Sequence, residues 1–395
     1  MTDKGQYRLI AILALCQLLW VSAGAVILTL SGLVGHHLAS NKSLATLPFA
    51  LMCVVDAAAS VPASSLMLRI GRRNGFLLGA LFGSLSGAVA ALAVIWESFA
   101  LFCLGVALWG LFTAFAQFYR YAAAEGVPPG LRSRAISAVV ASGIIAVFVG
   151  PQIVVLTGDL IPAGQYAGAF AAQAGVCVLA ILVTLLYRDT PEGRGETEHS
   201  ASLPGIRWRP SIVAGLINGA VSYSVMVFVM TASPLAAVHA GHSVSDAAGI
   251  IQWHLLGMYA PSLVTGWLIY RFGEVRIMFL GIGILLASAV AALQGASLYH
   301  YGLALLLLGV GWNLMYVSSS VLLSTPEDAR IRARVQGIGE LINNSTVAVA
   351  ALSAGSVFVF SGWATVNLVV LPLLAISLVV TVRYALMQRA EKPAG

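Results

Sequence analysis

The stretch LRIGRRNG (residues 68–75) places three arginines, Arg69, Arg72 and Arg73, in one short turn between two apolar segments. Only 9% of the 395 residues are charged and 59% are hydrophobic, whereas a soluble domain carries about 25% charged residues. Long apolar runs with few charges indicate membrane helices. We therefore predict an integral membrane protein, and the arginines of this turn mark its cytoplasmic side.

Apolar length and the spacing of Gly, Pro and charges predict twelve spans, each about 30 Å or more in length. They cover about residues 9–34, 45–68, 76–96, 99–122, 135–157, 164–187, 211–236, 247–269, 277–297, 302–323, 335–360 and 363–386. With the N-terminus inside, 20 of the 21 lysines and arginines are cytoplasmic and only Lys42 is outside. This agrees with the positive-inside rule. We expect a multi-pass protein of the plasma membrane, a bacterial inner membrane, with both termini in the cytoplasm.

The chain divides into two similar halves. The polar segment 188–210 has the composition of a cytoplasmic linker and separates six spans from six. A shift of about 200 residues places residues 66–75 over 267–276, and such internal repeats are typical of secondary transporters. The sequence therefore predicts an all-α membrane fold of twelve transmembrane helices, with pseudo-symmetric six-helix bundles at 1–187 and 211–395.

Six plus six spans with a basic glycine turn after span two resemble the major facilitator superfamily over essentially the whole chain. The residues that match the loop motif of that family are Arg69, Gly71, Arg72 and Arg73, with Arg271 and Gly273 in the second copy. Leu68 stands where the family has an Asp. The resemblance implies that this turn helps to hold a cytoplasmic gate, with Arg120 as a further member. The alternative is that the arginines only set topology.

A second family motif, which is associated with antiporters, is matched in part by span five. The matching residues are Gly143, Gly150 and Pro151. The partial match favours export slightly over uptake. Glycine and proline in a membrane helix also serve close packing or a hinge, and this is the alternative for these three residues.

Asp56 lies 13 residues before Arg69, about 20 Å along span two from the cytoplasmic turn. An ionised side chain at this depth costs roughly 2.5–3.5 kcal/mol on insertion scales, so an acid there is a functional candidate. Asp56, Ser60 and Ser64 share one helix face, and burial favours the protonated carboxyl. We expect Asp56 to take up and release a proton. The alternative is a neutral Asp that fixes packing.

Two further titratable residues are candidates for proton coupling. Glu340 lies about 9 Å into span eleven. It could be a second proton site, a substrate contact, or a gate residue that pairs with Arg334 or Arg120. His254 in span eight titrates near physiological pH, although a lone membrane histidine can equally be structural. Arg120 and Glu125 form an expected interfacial pair, and Arg120 could alternatively hold an anionic substrate.

Polar and aromatic side chains mark a candidate substrate cavity. In the resembled family, spans one, four, seven and ten line the central cavity. The candidates are Gln17, Trp20, Trp109, Gln117, Asn218, Trp312 and Asn313, with Asn344 from the polar patch of span eleven. Mixed apolar and hydrogen-bonding groups are the usual composition of a small-molecule site. Acids outnumber bases at this depth, which disfavours multiply anionic substrates.

Several classes of function are excluded by what the sequence lacks. It has no phosphate-binding Gly-x-x-x-x-Gly-Lys-Ser/Thr motif, no Ser/His/Asp spacing, and no metal-ligand spacing around its four cysteines. The basic residues lie in short turns rather than on one face, so no nucleic-acid partner is expected. We predict no enzyme activity, no cofactor and no metal, and we expect a monomer in the bilayer.

The sequence predicts a secondary active transporter that moves a small organic solute by alternating access, coupled to protons. Two alternatives remain. One is an uncoupled facilitator of a small organic solute, in which Asp56 is structural. The other, from a different class, is a membrane receptor or scaffold that transports nothing.

Overall fold

The computed structural model describes residues 3–41, 44–189, 206–326 and 328–390. All regular structure in these ranges is helical. Within them, ten helices are long and apolar enough to cross a membrane. Most of the predicted linker, residues 190–205, lies outside the described residues, as does Lys42.

Contacts between Cα atoms divide the chain into two compact units. The first takes the described residues of 1–127, 142–204 and 328–344, and the second takes those of 128–141, 205–327 and 345–395. Each unit therefore contains a short segment from the other half of the sequence. The division into bundles at 1–187 and 211–395 stays a prediction.

The first unit is built from seven helices and the beginning of an eighth. They are α1 (Asp3–Leu38), α2 (Leu47–Ile70), α3 (Arg72–Ile95), α4 (Phe99–Ala116), α5 (Tyr119–Glu125), α7 (Gly143–Thr157), α8 (Ala167–Leu185) and the first residues of α14 (Ala329–Ala390). In α3, Gly79, Gly83 and Gly87 recur every four residues. A Cβ on each would lie within 3 Å of side-chain or backbone atoms of α4 or α8. Small residues at this spacing let membrane helices pack closely.

The second unit contains the remaining helices. They are α6 (Arg132–Ala141), α9 (Pro210–His239), α10 (Val244–Tyr259), α11 (Ser262–Phe272), α12 (Glu274–Leu293), α13 (Leu298–Leu322) and the rest of α14. A capping box starts α10: the Ser243 hydroxyl accepts a hydrogen bond from the Asp246 N–H, and the Asp246 carboxylate accepts one from the Ser243 N–H.

The ten long helices are consistent with twelve spans. The 62-residue α14 contains predicted spans eleven and twelve, which meet at the non-helical Gly362. Predicted span eight is divided between α10 and α11 at Ala260 and Pro261, because proline has no N–H to continue the helix. Span four is divided between α4 and α5, and span five between α6 and α7.

The two basic glycine turns that revealed the repeat have the same backbone conformation. Gly71 ends α2 with φ 87° and ψ 156°, and Gly273 ends α11 with φ 83° and ψ 155°. A side chain is strained at such positive φ, whereas glycine adopts it readily. Each glycine therefore allows the next helix to begin at once, and Arg69 and Arg271 are exposed beside these turns.

A carboxylate lies beside the glycine turn between α2 and α3. It belongs to Asp189, which follows α8. Its Oδ1 accepts a hydrogen bond of 2.8 Å from the backbone N–H of Arg73. The guanidinium of Arg73 also donates to the carbonyl oxygen of Leu185 at 3.0 Å. A negative charge is favourable at a helix N-terminus. Asp189 thus supplies an acid to a turn that has Leu at position 68.

Close packing of α13 against α10 predicts a test of the second unit. A Cβ on Gly309 would lie 2.5 Å from the carbonyl oxygen of His254 and 2.7 Å from the carbonyl carbon of Gly257. Gly309→Ala should therefore destabilise the protein by about 1–3 kcal/mol through overpacking. Gly302 in the same helix has nothing within 4 Å of its Cβ position.

Gly302→Ala is the matched control and should be neutral or slightly stabilising, because Ala favours helix over Gly by about 1 kcal/mol. Thermal unfolding of the purified protein in detergent compares the two variants with the original chain. A Gly309→Ala protein that melts at or above the original temperature would contradict the packing described here.

Candidate functional site

The carboxylate of Asp56 is held by one amide group. Asp56 lies on α2 and is 8% exposed. Nε2 of Gln117 donates toward both of its oxygens, at 3.2 Å to Oδ1 and 3.1 Å to Oδ2. Gln117 directly follows α4, so this contact joins two helices of the first unit.

The amide of Gln117 belongs to a ring of polar groups. Its Nε2 also lies 3.4 Å from Oδ1 of Asn344, whose Nδ2 donates to Oγ of Ser60 at 3.2 Å. Oγ of Ser60 donates in turn to the main-chain carbonyl oxygen of Asp56 at 2.8 Å. The ring therefore connects α2, the α4–α5 junction and α14 through hydrogen bonds in which all the donors are neutral groups.

Span four is interrupted at the residue that carries this amide. The helix α4 ends at Ala116 and α5 begins at Tyr119. Nη1 of Arg120 donates to the main-chain carbonyl oxygen of Gln117 at 2.6 Å. Carbonyl groups at a helix end need donors from outside the helix. Arg120 thus supports the backbone at the point where the side chain of Gln117 reaches Asp56.

Arg120 forms a buried ion pair with Glu340 of α14. Its Nη2 lies 2.5 Å from Oε1 of Glu340, which also accepts a hydrogen bond of 3.0 Å from the hydroxyl of Tyr121. The guanidinium carbon lies 4.3 Å from the centre of the Tyr121 ring, within range of a cation–π interaction. The acid of Glu340 is therefore neutralised within the first unit.

A second buried ion cluster lies around Glu125. Arg72 donates to both of its carboxylate oxygens, at 3.2 Å from Nε and 2.7 Å from Nη2, and the two-pronged geometry favours a strong pair. Nε of Arg332 lies 3.5 Å from the same carboxylate, and Arg72 also donates to the side-chain oxygen of Gln336 at 3.0 Å. Glu125 is thus paired with Arg72 and Arg332, rather than with Arg120 as the sequence suggested.

The buried charges differ in how they are neutralised. Six side chains of Asp, Glu or Arg are buried in the described part of the chain: Asp56, Arg72, Arg120, Glu125, Arg332 and Glu340. Five of them take part in ion pairs. Asp56 alone among these six is held only by neutral groups. An unpaired buried carboxylate is costly when ionised, so Asp56 is the acid whose charge is least compensated.

Asn218 is engaged in helix packing. Its side-chain oxygen accepts hydrogen bonds from the hydroxyls of Ser377 and Thr381 on α14, the second at 3.2 Å. Its Nδ2 donates to the carbonyl oxygen of Ala214 at 2.9 Å. These contacts fix α9 against the C-terminal part of α14, and a role of Asn218 in a cavity stays a prediction.

Asn313 joins α13 to the break between α10 and α11. Its Nδ2 donates to the carbonyl oxygen of Met258 at 2.6 Å and to Oγ of Ser262 at 2.5 Å. Its Oδ1 accepts from the hydroxyl of Thr265 at 2.9 Å. His254 is fully buried nearby, with Nδ1 2.9 Å from the carbonyl oxygen of Leu305. Both side chains hold α13 against neighbouring helices.

Two of the remaining candidates of the first unit, Trp109 and Gly150, lie at contacts with α1. Trp109 is buried, and a Cβ on Gly24 of α1 would lie 3.2 Å from its ring. A Cβ on Gly150 would lie 2.5 Å from Cβ of Ala25. Gly143 and Pro151 lie in α7. On α1, Gln17 is buried and Trp20 is half-buried. Their roles in substrate binding or as a hinge stay predictions.

Trp312 belongs to a cluster of three aromatic rings in the second unit. It stacks on Tyr316 with ring centres 4.7 Å apart and planes 15° apart. Tyr223 of α9 packs edge-to-face against both, with centres 5.3 Å from Trp312 and 5.2 Å from Tyr316. Sequence reasoning selected Trp312 only. The four-residue spacing of Trp312 and Tyr316 on one helix face was the signal that could have found the pair.

Sequence reasoning also missed Tyr121, Gln336 and Arg332 as members of the ion-pair clusters. Arg332 was counted only among the cytoplasmic lysines and arginines. No sequence pattern around Gln336 indicated a role for it. No group of three or more His, Cys, Asp or Glu side chains suited to a metal ion occurs among the residues for which the structure gives a position.

Because Arg120 and Glu340 form an ion pair, we predict that the losses of stability caused by substituting them are not additive. Glu340→Gln leaves the charge of Arg120 buried without its partner, and Arg120→Met leaves the charge of Glu340. Each should cost about 3–5 kcal/mol of stability. The double variant should lose less than the sum of the two single losses, because neither charge is left unpaired.

Thermal unfolding in detergent measures this cycle. Arg69→Gln at the exposed arginine of the glycine turn is the control and should change stability by no more than about 0.5 kcal/mol. Strictly additive losses in the double variant would show that the two side chains do not interact.

Comparison with known proteins places this arrangement in a family. A family profile described as the Major Facilitator Superfamily matches residues 13–339. The riboflavin transporter RfnT of Brucella anthropi is 40% identical over 384 residues, which cover 96% of each chain. The uncharacterized MFS-type transporter YdeG of Bacillus subtilis is 29% identical and covers 94% of this chain and 91% of its own.

Solved structures share the fold at low identity. The MFS proton:xylose symporter XylE, bound to 6-bromo-6-deoxy-D-glucose, matches with a TM-score of 0.79 and 15% identity, over 97% of this chain and 95% of its own. The human organic anion transporter MFSD10 matches with a TM-score of 0.76 and 16% identity, over 95% and 99%. The chain is a multi-pass membrane transporter rather than an enzyme, and it belongs to the Major Facilitator Superfamily.

Proposed function

We propose that this chain carries riboflavin, or a closely related flavin, across the membrane by alternating access, coupled to protons through Asp56. The choice of substrate rests on the 40% identity to a riboflavin transporter over 96% of both chains. The observation that supports coupling is the buried carboxylate of Asp56, which is held by neutral groups only.

The charges of the described residues favour an uncharged substrate. Riboflavin joins a planar three-ring system to a chain of hydroxyls and has no net charge at neutral pH. The buried arginines Arg72, Arg120 and Arg332 each face a carboxylate, so they are occupied rather than available for a phosphate. Phosphorylated flavins should therefore be poor substrates.

The position of Asp56 supports its use as the proton carrier. Its neighbours can serve either protonation state, because the side-chain amides of Gln117 and Asn344 each have an oxygen that accepts and a nitrogen that donates a hydrogen bond. A buried carboxylate without a cation beside it takes up a proton more readily than a carboxylate held in an ion pair. Glu340 is locked by Arg120, so it contributes to the site through that pair.

Riboflavin flux in proteoliposomes tests the function. The original chain should move riboflavin, and an imposed proton gradient should drive its accumulation. The phosphorylated flavin FMN should compete poorly. Asp56→Asn keeps the size of the side chain but cannot change charge, so flux should no longer respond to the gradient.

Asp159→Asn is the matched control, since Asp159 is exposed after α7 and should leave coupling unchanged. Flux that ignores the gradient in the original chain would select the uncoupled facilitator. The absence of any riboflavin flux in either direction would overturn the proposed substrate.

A further inference from the structure

Two sides of α13 are occupied by helix packing in the second unit. On one side, Gly309 and Asn313 contact α10 and α11. On another, Gly311 approaches α12, with its Cβ position 2.7 Å from Leu285. At 100° per residue, Trp312 and Tyr316 lie on the strip between these two sides. This strip faces α9, where the ring of Tyr223 packs against both side chains.

The exposure of the three rings is graded. Trp312 is 2% exposed and Tyr316 is 7% exposed, whereas Tyr223 is half-buried. Tyr223 is therefore the most exposed of the three rings, and its edge-to-face contacts with the other two fix its orientation. Aromatic pairs in this edge-to-face arrangement attract one another beyond simple burial.

One polar atom of the cluster has no partner. Nε1 of Trp312 is buried and makes no hydrogen bond to any described residue. A buried N–H without an acceptor is costly and rare. An acceptor that arrives with a ligand would satisfy it.

We propose that Tyr223, Trp312 and Tyr316 form the binding site for the three-ring isoalloxazine system of the flavin, a site that rests on the proposed function. The flat, electron-poor ring system of a flavin stacks on electron-rich aromatic side chains. Its ring carbonyl and nitrogen atoms are acceptors for the N–H of Trp312. The three residues thus supply flat apolar contact and one directed donor, which together select a planar heteroaromatic solute over a sugar.

Titration of flavin fluorescence with the purified full chain tests the site. Stacking of flavin on Tyr or Trp quenches its emission, so the original chain should bind riboflavin with quenching. Tyr223→Leu should weaken binding by about tenfold to hundredfold, the range found when an aromatic platform is removed from a stacked heterocycle. Tyr223→Phe keeps the ring and should stay within about threefold.

Four further measurements separate recognition of the ring system from general damage to the protein. Lumiflavin, which has the ring system without the hydroxylated chain, should lose affinity for Tyr223→Leu by the same factor as riboflavin. Trp312→Phe, which keeps a ring but removes the N–H, should weaken the binding of both riboflavin and lumiflavin. Tyr299→Leu is the control, because Tyr299 is 71% exposed at the start of α13, and it should bind normally. Thermal unfolding without ligand checks that each variant is folded.

The outcomes distinguish this proposal from the one on which it rests. No binding of riboflavin to the original chain would overturn both. Binding by the original chain together with unchanged affinity and quenching in folded Tyr223→Leu would overturn the aromatic site alone. A loss for riboflavin but not for lumiflavin would also overturn it, because the variant would then have disturbed contacts to the hydroxylated chain.

Discussion

An ionised side chain costs free energy when it is buried away from water, and the described part of the first unit meets this cost with ion pairs for two of its three buried acids. Glu125 is neutralised by Arg72 and Arg332, and Glu340 by Arg120. Asp56 receives only the amide of Gln117. The ion pairs hold helices together. Asp56 has no such partner among the described residues, so taking up a proton is the simplest way for it to lose its charge.

The break in span four connects the two kinds of acid. Gln117 presents its amide to Asp56 and its main-chain carbonyl to Arg120, whose guanidinium also pairs with Glu340. Arg120 therefore lies between Glu340 and the residue that holds the Asp56 carboxylate, and Asn344 of α14 also contacts Gln117 directly.

The helices and the shared face of Asp56 and Ser60 could be predicted from sequence, because they depend on local patterns. Apolar length and the arginine turns predicted the helices, and Gly71 and Gly273 take the same conformation as the repeat implied. The shared face of Asp56 and Ser60 follows from four-residue spacing, and Ser60 does donate to the Asp56 carbonyl oxygen.

The partners of the buried charges could not be predicted. Glu125 was assigned to Arg120 because the two are close in sequence, yet its partner Arg72 is 53 residues away. Such pairs depend on which helices pack together, and no periodicity encodes that. The strip of α13 that carries Trp312 and Tyr316 could not be predicted either, because it is defined by the helices that pack against Gly309 and Gly311.

The central claim is that flavin binding and the charge of Asp56 are linked. Calorimetric titration of riboflavin into the purified protein, repeated in buffers of different ionisation enthalpy, counts the protons exchanged on binding. We predict a heat of binding that varies with the buffer for the original chain and does not vary for Asp56→Asn, although both bind. A heat that is independent of the buffer in the original chain, or a dependence that persists in Asp56→Asn, would contradict it.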